Sequence, residues 1–401
     1  MTFDQTNHNV HVLHLNNEFD IRRELYNIKT DKKVHDILIQ KMIYLHVKLE
    51  QVDTRAANLL KRHMHSIGGE AVISKDAYSF TERTTDVILS ASKETLGMLA
   101  KKISSLPYGL NNIAKEITKS LFSDIGIMKL KNSVIDFKHK TYIMGILRFN
   151  RFYRNGGYSQ ESLMNAVDAM FKAGVDIIDI VEDEGYKIVD RKEEEDKANL
   201  IVALASAIKE EYHNLILSIT TGNYHIAREA LNNGVDILIE AIPLKYNEQM
   251  LQLVAKMKCP IVLMHGHSHH QKPPRPLNSI SDVIREIQSN ISFAIGQGIK
   301  KDRIIIEPGI GFGRSNQENY LILRQLSSFQ YLNVPILVGL PRRSFLGEAL
   351  RGKMEKTHIS TIAANTMAII NGANIIRVDD VEQAVAMANI IDTIQSINTD
   401  L

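Results

Sequence analysis

Short runs of apolar, mostly β-branched residues recur from Thr141 onward, and each run is apolar at successive positions. This pattern predicts strands that are buried on both faces. Between the runs the apolar spacing is helical: Leu163 and Val167 share one face of a segment that Ser159 can cap. Eight runs are present, at 141–147, 175–181, 215–220, 236–241, 260–265, 303–307, 335–340 and 374–378.

The alternation of strands and helices predicts the fold class, a (β/α)₈ TIM barrel. Eight βα units over about 260 residues match a closed parallel barrel in number and length. An open, doubly wound sheet is the alternative, but it usually has fewer strands. The sequence therefore favours a barrel.

The first 131 residues have a different pattern and predict a small α/β domain, so that the domains are 1–131 and 132–401. The expected strands and helices are a strand at 8–17, a helical region over 33–65, strands at 70–74 and 85–91, and helices at 92–104 and 108–120. The basic linker KLKNSVIDFKHK at 129–140 predicts a hairpin that plugs the bottom of the barrel.

Composition narrows the classes of function. The formal net charge of +2 offers no basic excess, so we expect no nucleic-acid and no membrane-surface partner. No run of about 18 apolar residues predicts a membrane span, and the N-terminus lacks the features of a secretory signal. Cys259 is the single cysteine, which favours a reducing compartment. We therefore predict a cytoplasmic location.

In a barrel of this kind the chemistry lies at the carboxyl ends of the strands. The seventh and eighth predicted strands are followed or ended by Arg342, Arg343, Ser344 and Arg377. Arginine donates paired N–H groups to phosphate, so these residues predict an anion site. The alternative is that Arg377 and one of the pair form ion bridges to barrel carboxylates.

The sixth predicted strand ends at Glu307 and continues into the glycine-rich loop PGIGFG. Glycine allows a backbone to approach a ligand closely. A buried carboxylate needs hydrogen-bond partners, and a ligand with ring N–H donors would supply them. A tight turn with a structural ion pair is the alternative.

Two segments carry possible metal ligands. HGHSHH contains His265, His267, His269 and His270, and the acidic stretch after the second strand contains Glu182, Asp183, Glu184 and Glu193–Asp196. A metal site usually needs a third ligand and supporting hydrogen bonds. Solvated loops are therefore the favoured interpretation of both segments, and we predict no protein metal site.

Six motifs together resemble dihydropteroate synthase, in that family's order and spacing. They are MGIL at 144–147, GVDIIDI at 174–180, CPIVLMH at 259–265, EPGIGFGRSNQEN at 307–319, GLPRRSFLG at 339–347 and GANIIRVDDV at 372–381. The family joins a dihydropterin methyl diphosphate to p-aminobenzoate and releases diphosphate. The resemblance implies the same reaction, in folate biosynthesis, and a homodimer formed through the outer helices of the barrel.

The resemblance also implies a substrate-binding set. Glu307 takes the place of the Asp that holds the pterin ring, and Arg343 takes the place of a pterin-contacting Lys. Arg377 is the retained diphosphate-contacting Arg, while Asp379 replaces a His two residues further on. The resemblance extends the set to three further residues, namely Ser344, Met264 and Phe312.

Other positions depart from the family's pattern. Arg148 replaces the Asn that helps to place Mg²⁺ and diphosphate, so a Mg²⁺ cofactor is a possibility rather than an implication. Thr220 replaces the strand-three Asp that bonds the pterin, and Ile239 replaces the strand-four Asn. An unpartnered buried donor or acceptor costs about 1–3 kcal/mol.

Three hypotheses follow. The first is a synthase acting on a phosphorylated heterocycle, with the catalytic residues unassigned. The second is a non-catalytic or re-purposed barrel that binds another phosphorylated ligand or a partner protein. The third, a pterin-dependent methyl transfer domain, also needs the polar residues that Thr220 and Ile239 replace.

Overall fold

The computed structural model describes residues 10–15, 17–121, 125–148, 153–154, 157–182, 191–240, 247–266, 279–312, 314–340 and 357–396. The chain divides into two compact units between residues 123 and 124. The predicted domain boundary at 131/132 lies close to this division. Each unit has its own hydrophobic core.

The N-terminal unit packs helices onto a small antiparallel sheet. Its strands are β1 (Tyr44–Asp53), β2 (Glu70–Val72) and β3 (Thr84–Ser92), in the order β1-β3-β2. Its helices are α1 (Glu18–Asn27), α2 (His35–Met42), α3 (Thr54–Ser66), α4 (Lys75–Tyr78), α5 (Lys93–Ile103) and α6 (Leu110–Leu121). The predicted strands at 70–74 and 85–91 and the helices at 92–104 and 108–120 are confirmed.

Two expectations for this unit are wrong. The region 33–65 is not one helical stretch, because β1 separates α2 from α3. Within β1, Leu45, Val47 and Leu49 alternate with polar residues and pack on the core of the unit, and pairing with β3 satisfies their backbone groups. The expected strand at 8–17 is absent over residues 10–15, which pair with no described strand and leave Val10 exposed.

The second unit is a parallel β/α barrel. Its strands are β6 (Tyr142–Arg148), β9 (Ile177–Val181), β10 (Ile216–Thr221), β11 (Ile237–Glu240), β12 (Ile261–Met264), β13 (Ile304–Glu307), β14 (Leu337–Gly339) and β15 (Ile375–Val378), and two short hairpins add β4 (Ile127–Lys129), β5 (Val134–Asp136), β7 (Tyr153–Arg154) and β8 (Gly157–Tyr158). All eight predicted barrel strands are confirmed. The parallel bridge between Ile306 and Ile336 joins β13 to β14 and closes the ring, which excludes the open sheet.

Helices follow the strands around the outside of the barrel. They are α7 (Gln160–Lys172), α8 (Arg191–Glu211), α9 (Tyr224–Asn232), α10 (Glu248–Met257), α11 (Ile280–Gly296), α12 (Asn316–Arg324), α13 (Thr357–Ile370) and α14 (Val381–Ser396). Ser159 caps α7 by accepting a hydrogen bond from the Ser162 amide, as its position predicted. None of the described helices has the length and apolar character that a membrane span requires.

The hairpin of β4 and β5 closes the amino-terminal end of the barrel. Met128, Leu130, Ile135 and Phe137 from this segment share one apolar cluster with the lowest inward-facing residues of the strands, such as Ile177. The predicted plug is thereby confirmed. Because one end of the barrel is filled with apolar side chains, polar inward-facing residues are confined to the other end.

Candidate functional site at the carboxyl ends of the barrel strands

The period of two along each strand selects which side chains enter the barrel. In β9, Ile178 and Ile180 belong to the core under the helices, whereas Ile177 lies in the interior cluster. Asp179 has the parity of Ile177 and therefore points inward, one layer nearer the mouth. The residues of the same parity at the mouth on the other strands are Arg148, Thr220, Ile239, Met264, Glu307, Gly339 and Arg377.

Asp179 is the centre of a buried polar cluster and has no exposed surface. Arg377 donates to its Oδ2 from Nε at 2.8 Å and from Nη2 at 2.5 Å. Ser218 and Thr220 donate from their hydroxyls to the same carboxylate, at 3.0 Å and 2.9 Å. The side chain of Arg377 therefore forms a charge-assisted ion pair with a barrel carboxylate, which was the stated alternative to a dedicated anion site.

Thr220 is held in a defined orientation by this cluster. Its hydroxyl has one proton, which it donates to Asp179, and its oxygen accepts from Arg377 Nη2 at 3.3 Å. A hydroxyl with its proton so engaged presents only a lone pair to the mouth. Thr220 can thus accept one hydrogen bond from a ligand, as a carboxylate at this position would.

Glu307 lies beside the cluster at the end of β13 and is 2% exposed. Its Oε1 has no hydrogen-bond partner among the described residues. Burial raises the pKa of this carboxyl from its ordinary 4.5 to about 7; the charge of Arg377 lowers that pKa and the charge of Asp179 raises it. A buried acceptor without a partner is costly, so a ligand that donates an N–H group here would satisfy it.

The glycine at the end of β14 provides the space next to Glu307. A Cβ at Gly339 would lie 3.0 Å from Oε1 of Glu307 and 3.8 Å from Cβ of Arg377. The absence of a side chain at Gly339 thus leaves room for the carboxylate of Glu307.

The loop after β13 packs against the end of β12. A Cβ at Gly309 would lie 1.6 Å from the carbonyl oxygen of His265, and Gly309 has φ +76. A Cβ at Gly266 would lie 3.0 Å from Cβ of Phe312. Phe312 and Met264 are partly exposed at the mouth, where they offer apolar surface to a planar ligand.

Arg148 and Asp379 form an ion pair at the ends of β6 and β15. Arg148 Nε donates to Asp379 Oδ1 at 3.4 Å, and each side chain is about one fifth exposed. These are two of the positions at which the sequence departs from the family's pattern. The structure shows that they compensate each other in charge.

The family assignment follows from this geometry and from comparison with known proteins. A family described as pterin binding enzyme matches residues 144–379, more than half of the chain. The chain belongs to this family. A dihydropteroate synthase of Clostridium beijerinckii is 30% identical over 274 residues, covering 67% of this chain and 99% of that protein.

Two further similarities show how much of the chain is shared with known proteins. A dihydropteroate synthase structure from Coxiella burnetii, in complex with pteroic acid, matches with a TM-score of 0.58 and 26% identity, over 68% of this chain and 100% of that one. A probable bifunctional folylpolyglutamate synthase/dihydropteroate synthase of Haloferax volcanii is 28% identical over 359 residues. The latter match covers 85% of this chain, which exceeds the barrel unit, so the similarity extends into the N-terminal unit. The chain spans 42% of the length of that archaeal protein and of its Halobacterium salinarum counterpart.

The barrel brings together five of the eight predicted site residues with the same inward parity: Arg148, Thr220, Met264, Glu307 and Arg377. Phe312 lies in the adjoining loop. Arg343 and Ser344 lie outside the described residues, and so do His267, His269, His270, Asp183 and Glu184. Within the described part of the chain, no three His, Cys, Asp or Glu side chains are placed to hold a metal ion.

Two residues of the site, Asp179 and Arg314, were not predicted from the sequence. Asp179 lies inside an apolar run. Its inward parity relative to Ile177 is the signal that could have identified it. Arg314 gave no comparable signal, because its contact with His265 joins residues from two different loops. Cys259, taken as a small buried residue, is buried, and burial raises the pKa of its thiol to about 12.

Proposed function

We propose that this protein is a transferase of the dihydropteroate synthase type. It would join a dihydropterin methyl diphosphate to p-aminobenzoate and release diphosphate. The observation that carries the proposal is the buried Glu307 carboxylate with an unpartnered Oε1, placed beside the Asp179–Arg377 pair at the mouth of a pterin-binding barrel.

Glu307 and Thr220 supply hydrogen-bond acceptors for the heterocycle. A dihydropterin carries adjacent ring and amino N–H donors, and an ionised carboxylate is the acceptor that suits such a pair. Thr220 adds one acceptor from the opposite side of the mouth. Met264 and Phe312 supply apolar surface for the ring face, so polar and apolar contacts both match a planar fused ring.

The reaction needs stabilisation of the leaving diphosphate. The C–O bond to diphosphate breaks, the aryl amine nitrogen forms a C–N bond to the methylene carbon, and the amine loses a proton to solvent. Cations near the leaving group stabilise the developing negative charge. Arg148 and Arg377 are two of the described cations at this end, and the resemblance to the family adds Arg343.

The residues at the end of β6 do not fit the family's Mg²⁺. Arg148 replaces the metal-placing Asn with a cation, and the nearby Asp379 is already paired with it. Mg²⁺ prefers carboxylate and water oxygens without an adjacent guanidinium. We therefore propose that Arg148 takes the electrostatic role at this position.

The decisive test is a mass-spectrometric assay for dihydropteroate with the dihydropterin diphosphate, p-aminobenzoate and graded Mg²⁺. Turnover that is abolished by Glu307→Ala, in protein shown to be folded, would support the proposal. The same exchange at Glu248, exposed on α10, is the matched control. No product from folded wild-type protein would refute synthase activity.

A re-purposed barrel that binds another phosphorylated ligand is the second candidate. The Arg148–Asp379 pair favours it, because it replaces both the metal-placing Asn and the His that lies two residues after the diphosphate-contacting Arg. In that case calorimetry would detect a phosphorylated heterocycle of another kind, with no turnover of the synthase substrates. The double variant that combines Arg148→Asp with Asp379→Arg would preserve the pair's charge and test whether its orientation matters.

We also propose that the protein forms a homodimer through α13 and α14. Exposed apolar side chains of these helices line an outer groove, including Ile362, Ile370, Ile390 and Ile394. Apolar surface concentrated in this way marks interaction sites. Sedimentation should show a dimer for wild type and a monomer for Ile390→Asp. Ile295→Asp on α11 is the control.

We also propose a cytoplasmic location, because the single cysteine of the protein is buried. Cell fractionation tests this location.

A further inference from the structure

A second polar network joins two βα units at the mouth, apart from the Asp179 cluster; two of its side chains, Arg314 and His265, are buried, and Glu286 is largely exposed. Arg314 follows the glycine-rich loop, and its side chain is 2% exposed. Its Nη2 lies 3.2 Å from Nδ1 and 3.5 Å from Nε2 of His265, at the end of β12. His265 Nε2 lies 2.8 Å from Oε2 of Glu286 on α11.

These contacts determine the tautomer of His265. A guanidinium carries donors only, so the imidazole nitrogen nearest to Arg314 must accept and has no proton. Nδ1 is therefore the acceptor, and Nε2 carries the hydrogen that is donated to Glu286. The imidazole is held from both sides, by Arg314 and by Glu286.

The same histidine supports the loop that carries Phe312. The His265 amide donates to the Glu307 carbonyl at 2.8 Å, and its own carbonyl touches the backbone at Gly309. Further along the loop, the Gly311 amide donates to Oδ1 of Asn319 at 2.8 Å. The backbone of His265 therefore holds the start of the loop, and the bond between its imidazole and Arg314 holds the end.

We propose that Arg314 is a positioning residue for the ligand-binding loop: its bond to the imidazole of His265 ties the end of the loop to β12 and so fixes residues 308–312, and with them Phe312. The identity of the ligand rests on the proposed function. The positioning itself does not, since it concerns contacts within the chain.

The cost of burying Arg314 distinguishes this role from a structural one. Its Nε and Nη1 are buried without hydrogen-bond partners among the described residues, and the carboxylate of Glu318 approaches Nη1 only to 3.9 Å, through Oε1. Burial lowers the pKa of Arg314, while Glu318 and Glu286 raise it. A buried cation so incompletely paired does not favour folding, so its removal should not reduce stability.

The test compares wild type with Arg314→Met, Arg314→Lys and the control Arg324→Met, which alters an exposed arginine of α12. We would measure the imidazole nitrogen-15 shifts of His265, hydrogen exchange over residues 308–312, the affinity for pteroic acid by calorimetry, and the urea midpoint. For Arg314→Met we expect loss of the acceptor-type Nδ1 shift, exchange about tenfold faster and affinity about tenfold weaker. The urea midpoint should be equal or higher, and Arg314→Lys should restore the first three readouts.

Three outcomes would overturn the proposal. Unchanged nitrogen-15 shifts and exchange in Arg314→Met would show that His265 is held without Arg314. A fall in the urea midpoint that parallels the faster exchange, or a variant that fails to fold, would show a structural role. If wild type does not bind pteroic acid, the proposed function fails, while the shift and exchange measurements still decide the role of Arg314.

Discussion

Glu307 makes the stability of the protein depend on pH in a direction opposite to that of most carboxylates. Burial raises its pKa from 4.5 to about 7, so the folded protein holds a proton over a range where the unfolded chain has released it. Stability that depends on this proton is complete below about pH 4.5 and is lost as pH rises through 7. Replacement of Glu307 by Gln removes the titration.

The size of the effect follows from the pKa difference. Each pKa unit corresponds to about 1.4 kcal/mol, so ionisation of Glu307 lowers the free energy of unfolding by about 3 kcal/mol between pH 4.5 and 8. The 2% exposure of the side chain means that solvent screens little of this cost. We expect Glu307→Gln to match wild type near pH 5 and to exceed it by that amount at pH 8.

Urea denaturation from pH 5 to pH 8 measures this difference directly. Wild type and Glu307→Gln are compared with Glu248→Gln, which makes the same exchange on an exposed helix. Parallel curves for wild type and Glu307→Gln would refute the argument, because they would show that the carboxyl titrates alike in the folded and unfolded chain.

Three further outcomes can be checked on the same chain. Gly309→Ala should lower the free energy of unfolding by at least about 3 kcal/mol, because its Cβ would lie 1.6 Å from a carbonyl oxygen; open Gly97→Ala is the control, and equal urea midpoints would contradict the packing. Arg377→Ala should cost about 3–5 kcal/mol by leaving buried Asp179 unpaired, whereas Asp179→Asn with Arg377→Met should cost less in the same denaturation assay. Thr220→Val should cost about 1–2 kcal/mol and Thr220→Ser less; equal losses would show that the hydroxyl is not the relevant group.

The N-terminal unit shows how local patterns can mislead. The segment that forms β1 carries residues that favour helix as readily as strand, and it lies between two real helices. What decides its state is the edge of β3, which supplies hydrogen bonds along Tyr44–Asp53. That partner is about 40 residues away in sequence, so no local window contains it.

The barrel could be predicted from the sequence because the pattern that specifies each βα unit is local and is repeated eight times along the chain. Eight apolar runs alternate with amphipathic helices, and parallel strands buried on both faces have few other arrangements. The positions of Glu307 and Arg377 at strand ends indicated them in advance, whereas Thr220 and Met264 were named from the resemblance to the family. The family's motifs added the class of ligand.

Only the tertiary structure decided how these residues share their charges. Asp179 and Arg377 are almost 200 residues apart in sequence, yet they form the ion pair that orients Thr220 and leaves Glu307 with an unpartnered oxygen. Arg148 with Asp379, and Arg314 with His265, are likewise pairs across strand ends. A sequence specifies which side chains reach the mouth, but hydrogen bonding there depends on distances and burial that arise when the ring of strands closes.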